Sequence, residues 1–370
     1  MKIAVLSSHT PSLFWFRMDM MKRFRKYGND VVAVGNEPEA EWKEKFGEFG
    51  IRYISAQISR NGTNPLEDLK TLKSLKKILA SEKPDKIFTY QAKTVIYGGI
   101  AAHQLGIKDV YPLIAGVGSV FLAFGFKSRI IRTVLKTEYK VGMKHAEKVF
   151  FQNPDDVRVF VDQKILDKEK IVMIPGSGVN LEKFQPQELP EKSAVLCISR
   201  LIRDKGVYEY LEAAKKVKQT DPEIRVLLVG PYDSNPSAIK PEELAPYIED
   251  GIIEYFGEQT DVRPYLAQCS VYVLPSYREG TPKTVLEAMA SCKAVITTDA
   301  PGCRETVIDG VNGSTVPVKD IDALADAIKH LIDDPAIVKK MAAEGRKMAE
   351  QKFDVEIVNG IICKTMNITD

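Results

Sequence analysis

The amino-acid sequence predicts an α/β protein made of two doubly wound domains. Short apolar runs alternate with longer, charged segments of helical period along the whole chain of 370 residues. Near-continuous apolar runs of this kind are typical of strands that are buried on both faces of a parallel sheet. A chain of this length exceeds one ordinary core, so two domains are the natural expectation.

The predicted strands follow from these runs in chain order. In the first half they are KIAVLSS, DVVAVG, IRYIS, KIFTY, DVYPLIA, KVFFQN and IVMIP. In the second half they are AVLCIS, RVLLVG, IIEYFG, VYVLPS, AVITTD and GSTVPV. Because strand and helix alternate throughout, each half predicts a parallel sheet with helices on both faces.

The domain boundary is predicted where the strand pattern restarts. A polar stretch with two prolines, EKFQPQELPEKS, precedes the restart at SAVLCISRL. We therefore predict a first domain over residues 1–180, a linker over 181–192 and a second domain over 193–354. The tail, residues 355–370, has a weak helical period and is expected to pack on the first domain. Functional residues are expected at the carboxyl ends of the strands, where open α/β sheets bind ligands.

Charge and cysteine content exclude several classes of protein. The formal net charge is only +2, which gives no indication of a nucleic-acid partner. The five cysteines are scattered and form no CxxC pair, which favours reduced thiols over a disulfide framework or a zinc site. The sequence contains no apolar stretch long enough to span a bilayer and no pattern typical of a signal peptide. We therefore expect a cytoplasmic protein.

The segment REGTPKTVLEAM predicts the start of a helix directly after a buried strand. Thr281 is predicted as its N-cap and Pro282 as its first helical residue. The N–H groups of this first turn, together with the helix dipole, predict an anion site. Glu279 precedes the helix and Glu287 lies in its second turn, off the apolar stripe. Carboxylates in these places can accept hydrogen bonds from sugar hydroxyls that are attached to a bound phosphate.

Other loops at the same edge of the sheet supply matching chemistry. Arg200 and Lys205 lie in CISRLIRDKG after the first strand of the second domain, where they can neutralise phosphate charge. Gly230 begins the next loop, VGPYDSNP, and Glu258 lies in the Gly-Glu turn of FGEQTDVRPYL. Taken singly, each loop is also compatible with an ordinary solvated surface. Ligand-compatible loops that share one edge favour a binding site.

These segments resemble glycosyltransferase family 4, a group of retaining enzymes with the GT-B fold of two Rossmann-like domains. SRLIRDKGVYEYLEAA resembles the family's Arg-x4-Lys-Gly element, and REGTPKTVLEAMASCKAVITTDAPGCRETV resembles its Glu-x7-Glu segment. The similarity covers nearly the whole chain. FFQNPDD, GSGVNLEKFQP and IAGVGSVFLAFGFKSR further resemble a bacterial subgroup that builds capsular polysaccharide, lipopolysaccharide and lipid-linked oligosaccharides.

The resemblance implies a role for each matching residue. Arg200 and Lys205 would neutralise the donor diphosphate, and Glu279 would contact the donor sugar, so these three are the catalytic candidates. Glu287 would bind the ribose. The remaining donor-binding candidates are Gly280, Thr281, Pro282, Lys283, Gly230, Glu258, Gly116 and Gly118. The family needs no metal and no cofactor, because the Arg, the Lys and the helix dipole replace a divalent cation.

The first domain departs from the family pattern in two places. SSHTPSLFWFR replaces the Gly-Gly loop of many relatives, and Ala115 stands where many relatives have a histidine near the donor sugar. Gly116 and Gly118 would still let the backbone approach the donor closely. His9, which follows the first strand, and Arg17, in the next predicted helix, are the first-domain candidates for contact with the acceptor.

Two basic segments of the first domain predict contact with an anionic membrane surface. One is FKSRIIRTVLKTEYKVGMKHAEK, with an apolar side formed by Ile130, Ile131, Val134, Leu135 and Tyr139. The other is SLFWFRMDMMKRFRKYG, in which three aromatic residues precede a basic run that includes Arg17. The alternative is that both are ordinary helices with solvated basic faces. The membrane interpretation predicts a peripheral protein at the inner face of the cell membrane.

The combined prediction is a retaining glycosyltransferase. Its donor would be a nucleotide diphosphate sugar, with uridine as the expected base, and it would transfer a hexose or an N-acetylhexosamine. Its acceptor would be a polyprenyl-diphosphate-linked saccharide in the assembly of a bacterial surface polysaccharide or glycan. The alternatives are a non-catalytic nucleotide-sugar-binding protein and an epimerase on the same fold. The presence of both acids and both cations favours the enzyme.

Overall fold

The structure is a computed structural model that describes residues 1–59, 62, 64–117, 126–192, 194–235 and 237–369, with only the backbone of 126–128. The chain divides into two compact units. The first comprises Met1–Ser177 and Val355–Asp370, and the second comprises Gly178–Asp354. Within the described ranges, no helix has both the length and the apolar character that crossing a membrane requires.

The first unit contains a seven-stranded parallel sheet in the order β3-β2-β1-β4-β5-β6-β7. Its strands are β1 Lys2–Ser7, β2 Asp30–Gly35, β3 Arg52–Ser55, β4 Lys86–Tyr90, β5 Asp109–Ile114, β6 Val149–Phe151 and β7 Ile171–Met173. Its helices are α1 Thr10–Lys26, α2 Glu39–Gly47, α3 Pro65–Glu82, α4 Gly99–Gln104, α5 Phe126–Met143, α6 Pro154–Asp162 and α13 Val355–Thr365. A π-helical turn, Thr94–Gly98, precedes α4.

The second unit contains a six-stranded parallel sheet in the order β10-β9-β8-β11-β12-β13. Its strands are β8 Ala194–Ile198, β9 Arg225–Val229, β10 Glu254–Tyr255, β11 Val271–Leu274, β12 Ala294–Thr298 and β13 Gly313–Val316. Its helices are α7 Val207–Thr220, α8 Pro241–Glu249, α9 Arg263–Leu266, α10 Lys283–Ala290, α11 Ile321–Asp333 and α12 Pro335–Met348. The strand order has the same pattern as in the first unit.

Both sheets are buried on two faces, as the apolar runs predict. Successive side chains of a strand point to opposite faces, so Val195 and Cys197 of β8 lie in one core cluster while Leu196 and Ile198 lie in another. In the first unit, Ala4 of β1 belongs to one cluster and its neighbour Val5 to the other. Every strand predicted from the sequence is present, and the predicted doubly wound α/β architecture is confirmed.

The segments next to the predicted domain boundary pack as parts of the two units. Phe184, within the predicted linker 181–192, is only 4% exposed and belongs to a core cluster of the second unit, so this segment is part of that unit. In the tail, Val358 and Ile362 are buried in a cluster that includes Phe24 of α1. Glu356 also accepts a hydrogen bond from Arg23 of α1 over 3.1 Å.

Helix α5 is anchored in the first unit by a close contact between glycines. A Cβ built on Gly99, the first residue of α4, would lie 2.0 Å from the Gly142 carbonyl oxygen. A Cβ on Gly142 would lie 2.6 Å from the Ile96 Cα. The backbones therefore approach more closely than any side chain would permit.

Replacing Gly99 with alanine should destabilise the protein. Alanine is favoured over glycine inside a helix by about 1 kcal/mol, but overpacking against a backbone oxygen costs about 1–3 kcal/mol, so we expect a net loss. Gly47, at the end of α2, has nothing within 4 Å of a built Cβ and provides the matched control. Chemical denaturation should show a lower midpoint for Gly99→Ala, whereas the midpoint of Gly47→Ala should be unchanged or slightly higher. Equal midpoints would contradict the close contact.

Candidate active site

The carboxyl edge of the second sheet brings together the loops that follow β8 and β11. These strands are neighbours from which the crossovers run in opposite directions, and such a switch point leaves a crevice for ligands. The Tyr277 N–H donates to the Asp204 carbonyl oxygen over 2.9 Å, and the Ser276 hydroxyl donates to the same oxygen over 3.2 Å. The two loops are therefore joined directly to each other.

Gly206 allows the closest approach between these loops. Its φ is +70°, and a Cβ built on it would lie 2.0 Å from the Pro275 carbonyl oxygen. Both the left-handed backbone and the lack of space require glycine at this position. Lys205, the preceding residue, consequently lies against the carboxyl end of β11.

Lys205 and Glu279 form an ion pair between the two loops, with Nζ in contact with Oε1. Their side chains are only 20% and 12% exposed. Because the pair is largely shielded from water, its attraction is stronger than that of a pair on the open surface. Two of the three predicted catalytic residues are thus in direct contact at the switch point.

Arg200, the third predicted catalytic residue, has a different partner. Its guanidinium donates to the Asp233 carboxylate over 2.8 Å, and the Arg200 side chain is 44% exposed. Asp233 lies in the loop after β9 and is not among the site residues predicted from the sequence. The signal that could have found it is its position just after a buried strand, opposite a cation predicted on the neighbouring loop.

Gly230 connects the loops after β8, β9 and β10. Its φ is +148°, and a Cβ there would lie 1.8 Å from the Ser199 carbonyl oxygen. Its N–H donates to the Gly257 carbonyl oxygen over 2.8 Å. Glu258, which follows Gly257 in the chain, is exposed at this edge. The structure therefore gives Gly230 a packing role, and Glu258 lies beside it.

A third glycine, Gly302, supports the backbone of Glu279 and was also missed from the sequence. The Glu279 N–H donates to the Pro301 carbonyl oxygen over 2.9 Å. Gly302 has a φ of +84°, and a Cβ there would lie 2.2 Å from the Glu279 carbonyl oxygen. The loop after β12 thus fixes the position of Glu279 and of Gly280, which is buried.

Helix α10 begins one residue later than predicted. Pro282 is its N-cap, with φ −71° and ψ 110°, so the prediction of Thr281 as the N-cap was wrong. The reason is that the Pro282 carbonyl oxygen accepts the first helical bonds, from the N–H groups of Val285 over 3.1 Å and Leu286 over 3.3 Å. Lys283 is the first helical residue, and Glu287 lies one turn further on.

The surroundings of Glu287 disfavour the ionised form of its carboxyl group. Burial raises its pKa above the ordinary value, while the charges of Lys283 and Lys183 oppose this shift and that of Asp261 adds to it. Its neighbours Leu286 and Ala288 are fully buried. Among the described residues, no donor forms a hydrogen bond with this carboxylate. A half-buried acceptor of this kind is suited to the hydroxyl groups of a ligand.

The first-unit candidates lie at the carboxyl edge of the first sheet or close to it. His9 is the N-cap of α1, and its carbonyl oxygen accepts hydrogen bonds from the hydroxyls of Ser7 over 3.0 Å and Ser12 over 3.1 Å. Gly116 follows β5 with a φ of +132°, which favours glycine. Gly118 lies outside the described residues.

Arg17 corrects one feature of the predicted basic surface. Its side chain is 2% exposed, so the prediction that it contributes to a membrane-facing surface was wrong. The reason is that Arg17 lies on the sheet-facing side of α1, where its guanidinium stacks 4.9 Å from the ring centroid of Tyr90.

In the described part of the chain, no group of three or more His, Cys, Asp or Glu side chains is arranged to hold a metal.

Both halves of the chain match models of glycosyltransferase families. Residues 2–153 match the family described as "Glycosyl transferase 4-like", and residues 192–334 match the one described as "Glycosyl transferases group 1". A relative from Campylobacter jejuni, an N,N'-diacetylbacillosaminyl-diphospho-undecaprenol alpha-1,3-N-acetylgalactosaminyltransferase, is 30% identical over 97% of this chain and 96% of its own. The chain belongs to this family of glycosyltransferases.

Further comparisons agree with this assignment. A UDP-Gal:alpha-D-GlcNAc-diphosphoundecaprenol alpha-1,3-galactosyltransferase from Escherichia coli is 27% identical over 74% of this chain and 72% of its own. The fold is that of the sucrose-phosphate synthase from Thermosynechococcus elongatus, with a TM-score of 0.83, 21% identity and coverage of 99% of this chain and 98% of that one. The transferase is therefore an enzyme with two Rossmann-like domains of the GT-B type.

Replacing Glu287 with glutamine should raise the melting temperature, Tm, of the transferase at pH 7. Because burial raises the pKa of this carboxyl, ionisation at neutral pH costs stability, and a neutral amide avoids that cost. The cost is present above the raised pKa and is lost below the unfolded value of about 4.3. The gain in Tm should therefore shrink as the pH falls from 8 to 4.

Glu223, an exposed acid of the same unit, provides the control. Glu223→Gln should leave Tm nearly unchanged across this pH range. A lower Tm for Glu287→Gln at pH 7 would show that the carboxylate stabilises the fold, and this would contradict the interpretation of Glu287 as a site residue.

Proposed function

We propose that the transferase moves a hexose or an N-acetylhexosamine from a UDP-sugar to a polyprenyl-diphosphate-linked saccharide, with retention at the anomeric carbon. The product would enter a bacterial surface polysaccharide or glycan. The observation that carries the proposal is the Lys205–Glu279 pair at the switch point of the second sheet, with Glu287 on the adjoining helix. The relatives from C. jejuni and E. coli, whose names describe lipid-diphosphate acceptors, support the choice of acceptor.

The donor would bind in the second unit, residues 193–354 in the predicted division, and the acceptor would bind in the first. Glu287 would accept hydrogen bonds from the ribose hydroxyls. Lys205 and Arg200 would neutralise the diphosphate, and Glu279 would bind hydroxyls of the transferred sugar. The ion pair supports this division of roles between Lys205 and Glu279. The ammonium is suited to the phosphate of the donor, and the carboxylate beside it is suited to a hydroxyl of the sugar attached to that phosphate.

Catalysis would depend on charge that is already in place. Negative charge grows on the diphosphate as the bond to the sugar breaks, so fixed cations stabilise the transition state more than the ground state. These cations replace the divalent metal that other diphosphate chemistry uses. In the retaining reaction, the leaving phosphate would accept the proton of the incoming acceptor hydroxyl, so this mechanism does not require a histidine at position 115.

Turnover of labelled UDP-sugars tests the proposed reaction. We expect the label to pass to a polyprenyl-diphosphate saccharide when a panel of donors and acceptors is screened. Binding of UDP-sugar without turnover of any donor would instead indicate a non-catalytic binding protein. Recovery of a different UDP-sugar, with no glycosylated product, would indicate an epimerase.

Lys205→Ala and Arg200→Ala should each slow transfer strongly. The loss of one donor to the developing charge typically costs about 3 kcal/mol, or a hundredfold or more in rate. Arg203→Ala is the matched control, because Arg203 lies in the same loop and pairs with Glu243 of α8. Folding should be checked by circular dichroism. Near wild-type rates in folded Lys205→Ala and Arg200→Ala would show that the site is assigned wrongly.

We further propose that α5 binds the inner face of the cell membrane peripherally. Its apolar side chains divide between two faces: Tyr139 is buried in the core, whereas Ile130 and Val134 are about half exposed, at 50% and 51%. The exposed pair lies next to a basic stripe on the same helix that includes Arg129 and Lys140. An exposed apolar strip beside cations matches an anionic leaflet, and it would bring the enzyme to an acceptor whose lipid remains in the bilayer.

Binding to vesicles tests the membrane proposal. Each basic residue at an anionic surface contributes about 1 kcal/mol, so Lys136→Glu with Lys140→Glu should strongly reduce cosedimentation with vesicles of phosphatidylglycerol and phosphatidylethanolamine. Lys339→Glu with Lys340→Glu makes the same change of charge on exposed lysines of α12 and is the control. Raised salt should release the wild type. No binding at low salt, or equal losses in both variants, would contradict the role of α5.

A further inference from the structure

Arg17 is a buried cation without a compensating charge. Its side chain is 2% exposed, and its Nε has no hydrogen-bond partner. Burial lowers its pKa to about 10, and the one opposing influence is the Tyr90 hydroxyl. Among the described residues, no carboxylate forms an ion pair with it. Arginine is almost never buried unless it is paired, so the position requires an explanation.

A cluster of polar side chains lies next to Arg17 at the carboxyl edge of the first sheet. Ser7 ends β1 and Tyr90 ends β4, and these two strands flank the switch point of the sheet. The Ser8 hydroxyl donates to Gln91 Oε1 over 2.9 Å, the Ser7 hydroxyl lies 2.9 Å from the same oxygen, and Gln91 Nε2 donates to Ser12 Oγ over 2.9 Å. The Tyr90 and Ser12 hydroxyls lie 3.0 Å apart.

The Tyr90 ring connects this cluster to the cation. The guanidinium Cζ lies 4.9 Å from the ring centroid, and the hydroxyl of the same ring contacts Ser12 in the first turn of α1. Side chains of a helix point back toward its N-terminus, which directs Arg17 toward this turn. His9, the N-cap, makes no capping bond through its side chain. The Tyr90 side chain therefore contacts both the cation and the first turn of α1, where the positive end of the helix dipole lies.

The backbone at Gln91 is unusual for its residue type. Its φ of +72° lies in the left-handed region, which residues other than glycine, asparagine and aspartate seldom adopt. Strain of this kind tends to occur at sites that bind ligands. Here it directs the Gln91 amide into hydrogen bonds with three serines. The amide and the hydroxyls are all groups that can rotate to present a proton to an incoming acceptor.

We propose that Arg17 is the counter-ion for an anionic group on the acceptor saccharide, and that Ser8, Ser12 and Tyr90 donate to the same group. The ligand class is a sugar that carries a phosphate or a carboxylate. This inference rests on the proposed function, in which the first unit receives the acceptor. It adds a charge requirement: a saccharide that lacks this phosphate or carboxylate would bind poorly.

An entirely structural role makes the opposite prediction for stability. If the contact between Arg17 and the Tyr90 ring stabilises the fold, removal of the cation lowers Tm. If Arg17 is a binding group held at a cost, Arg17→Met raises Tm, because an unpaired buried charge is replaced by an apolar side chain of similar length. Lys26→Met removes an exposed cation from the same helix and should change Tm little.

The decisive experiment is calorimetric titration of the full chain with inorganic pyrophosphate in the presence of saturating UDP. Wild type and Lys26→Met should bind pyrophosphate. Arg17→Met should bind it at least about tenfold more weakly, because it has lost a charge-assisted hydrogen-bond donor. Arg17→Lys retains the charge and should keep part of the binding, which covers the case in which the methionine variant does not fold. A parallel titration with glucuronic acid tells a carboxylate ligand from a phosphate.

Each result separates this inference from the proposed function. The anion site is overturned if Arg17→Met binds both pyrophosphate and glucuronate as tightly as the wild type does. It is also overturned if the wild type binds neither. Either result counts against the site even if UDP-sugars are turned over. Failure to bind UDP or to turn over any UDP-sugar contradicts the proposed function instead. In that case, a loss of pyrophosphate binding that is specific to Arg17→Met would still support the anion site.

Discussion

The candidate active site depends on how closely the backbone loops of the second sheet approach one another. Gly206, Gly230 and Gly302 all have positive φ, and a Cβ on each would lie 2.0, 1.8 and 2.2 Å from a carbonyl oxygen of a neighbouring loop. These contacts leave no room for side chains at the three positions. Backbone hydrogen bonds also join the loops, so the loops cannot move apart without breaking these bonds. Lys205 and Glu279 meet because their backbones are fixed in this way.

Charge compensation divides six charged residues of the candidate sites into two kinds. Lys205 with Glu279, and Arg200 with Asp233, are paired within the second unit. Burial raises the pKa of Glu287, and it lowers that of Arg17, and neither side chain forms an ion pair with another described residue. Paired groups are prepared for a ligand at little cost in stability. Uncompensated groups cost stability, so they indicate places where a ligand would supply the missing charge or hydroxyl groups.

The fold could be predicted from the sequence because buried parallel strands are continuous apolar runs, and every such run became a strand. The half-buried position of Glu287 was also predictable, since it lies off the apolar stripe of α10, whereas its role in binding stays a prediction. The pairing of Arg200 with Asp233 was not, because it joins two loops that only the strand order makes neighbours. Arg17 was misassigned for a related reason: sequence period alone did not reveal which face of α1 is turned toward β4.

Titration of UDP into Glu287→Gln and Glu279→Gln tests the central assignment most directly. If Glu287 binds the ribose, its amide variant should bind UDP about tenfold more weakly, because an amide accepts hydrogen bonds less strongly than a carboxylate. Glu279→Gln should bind UDP nearly as tightly as the wild type, because the sugar that Glu279 would contact is absent from UDP and the Lys205 cation remains. Equal losses in the two variants, or the larger loss in Glu279→Gln, would contradict the assignment.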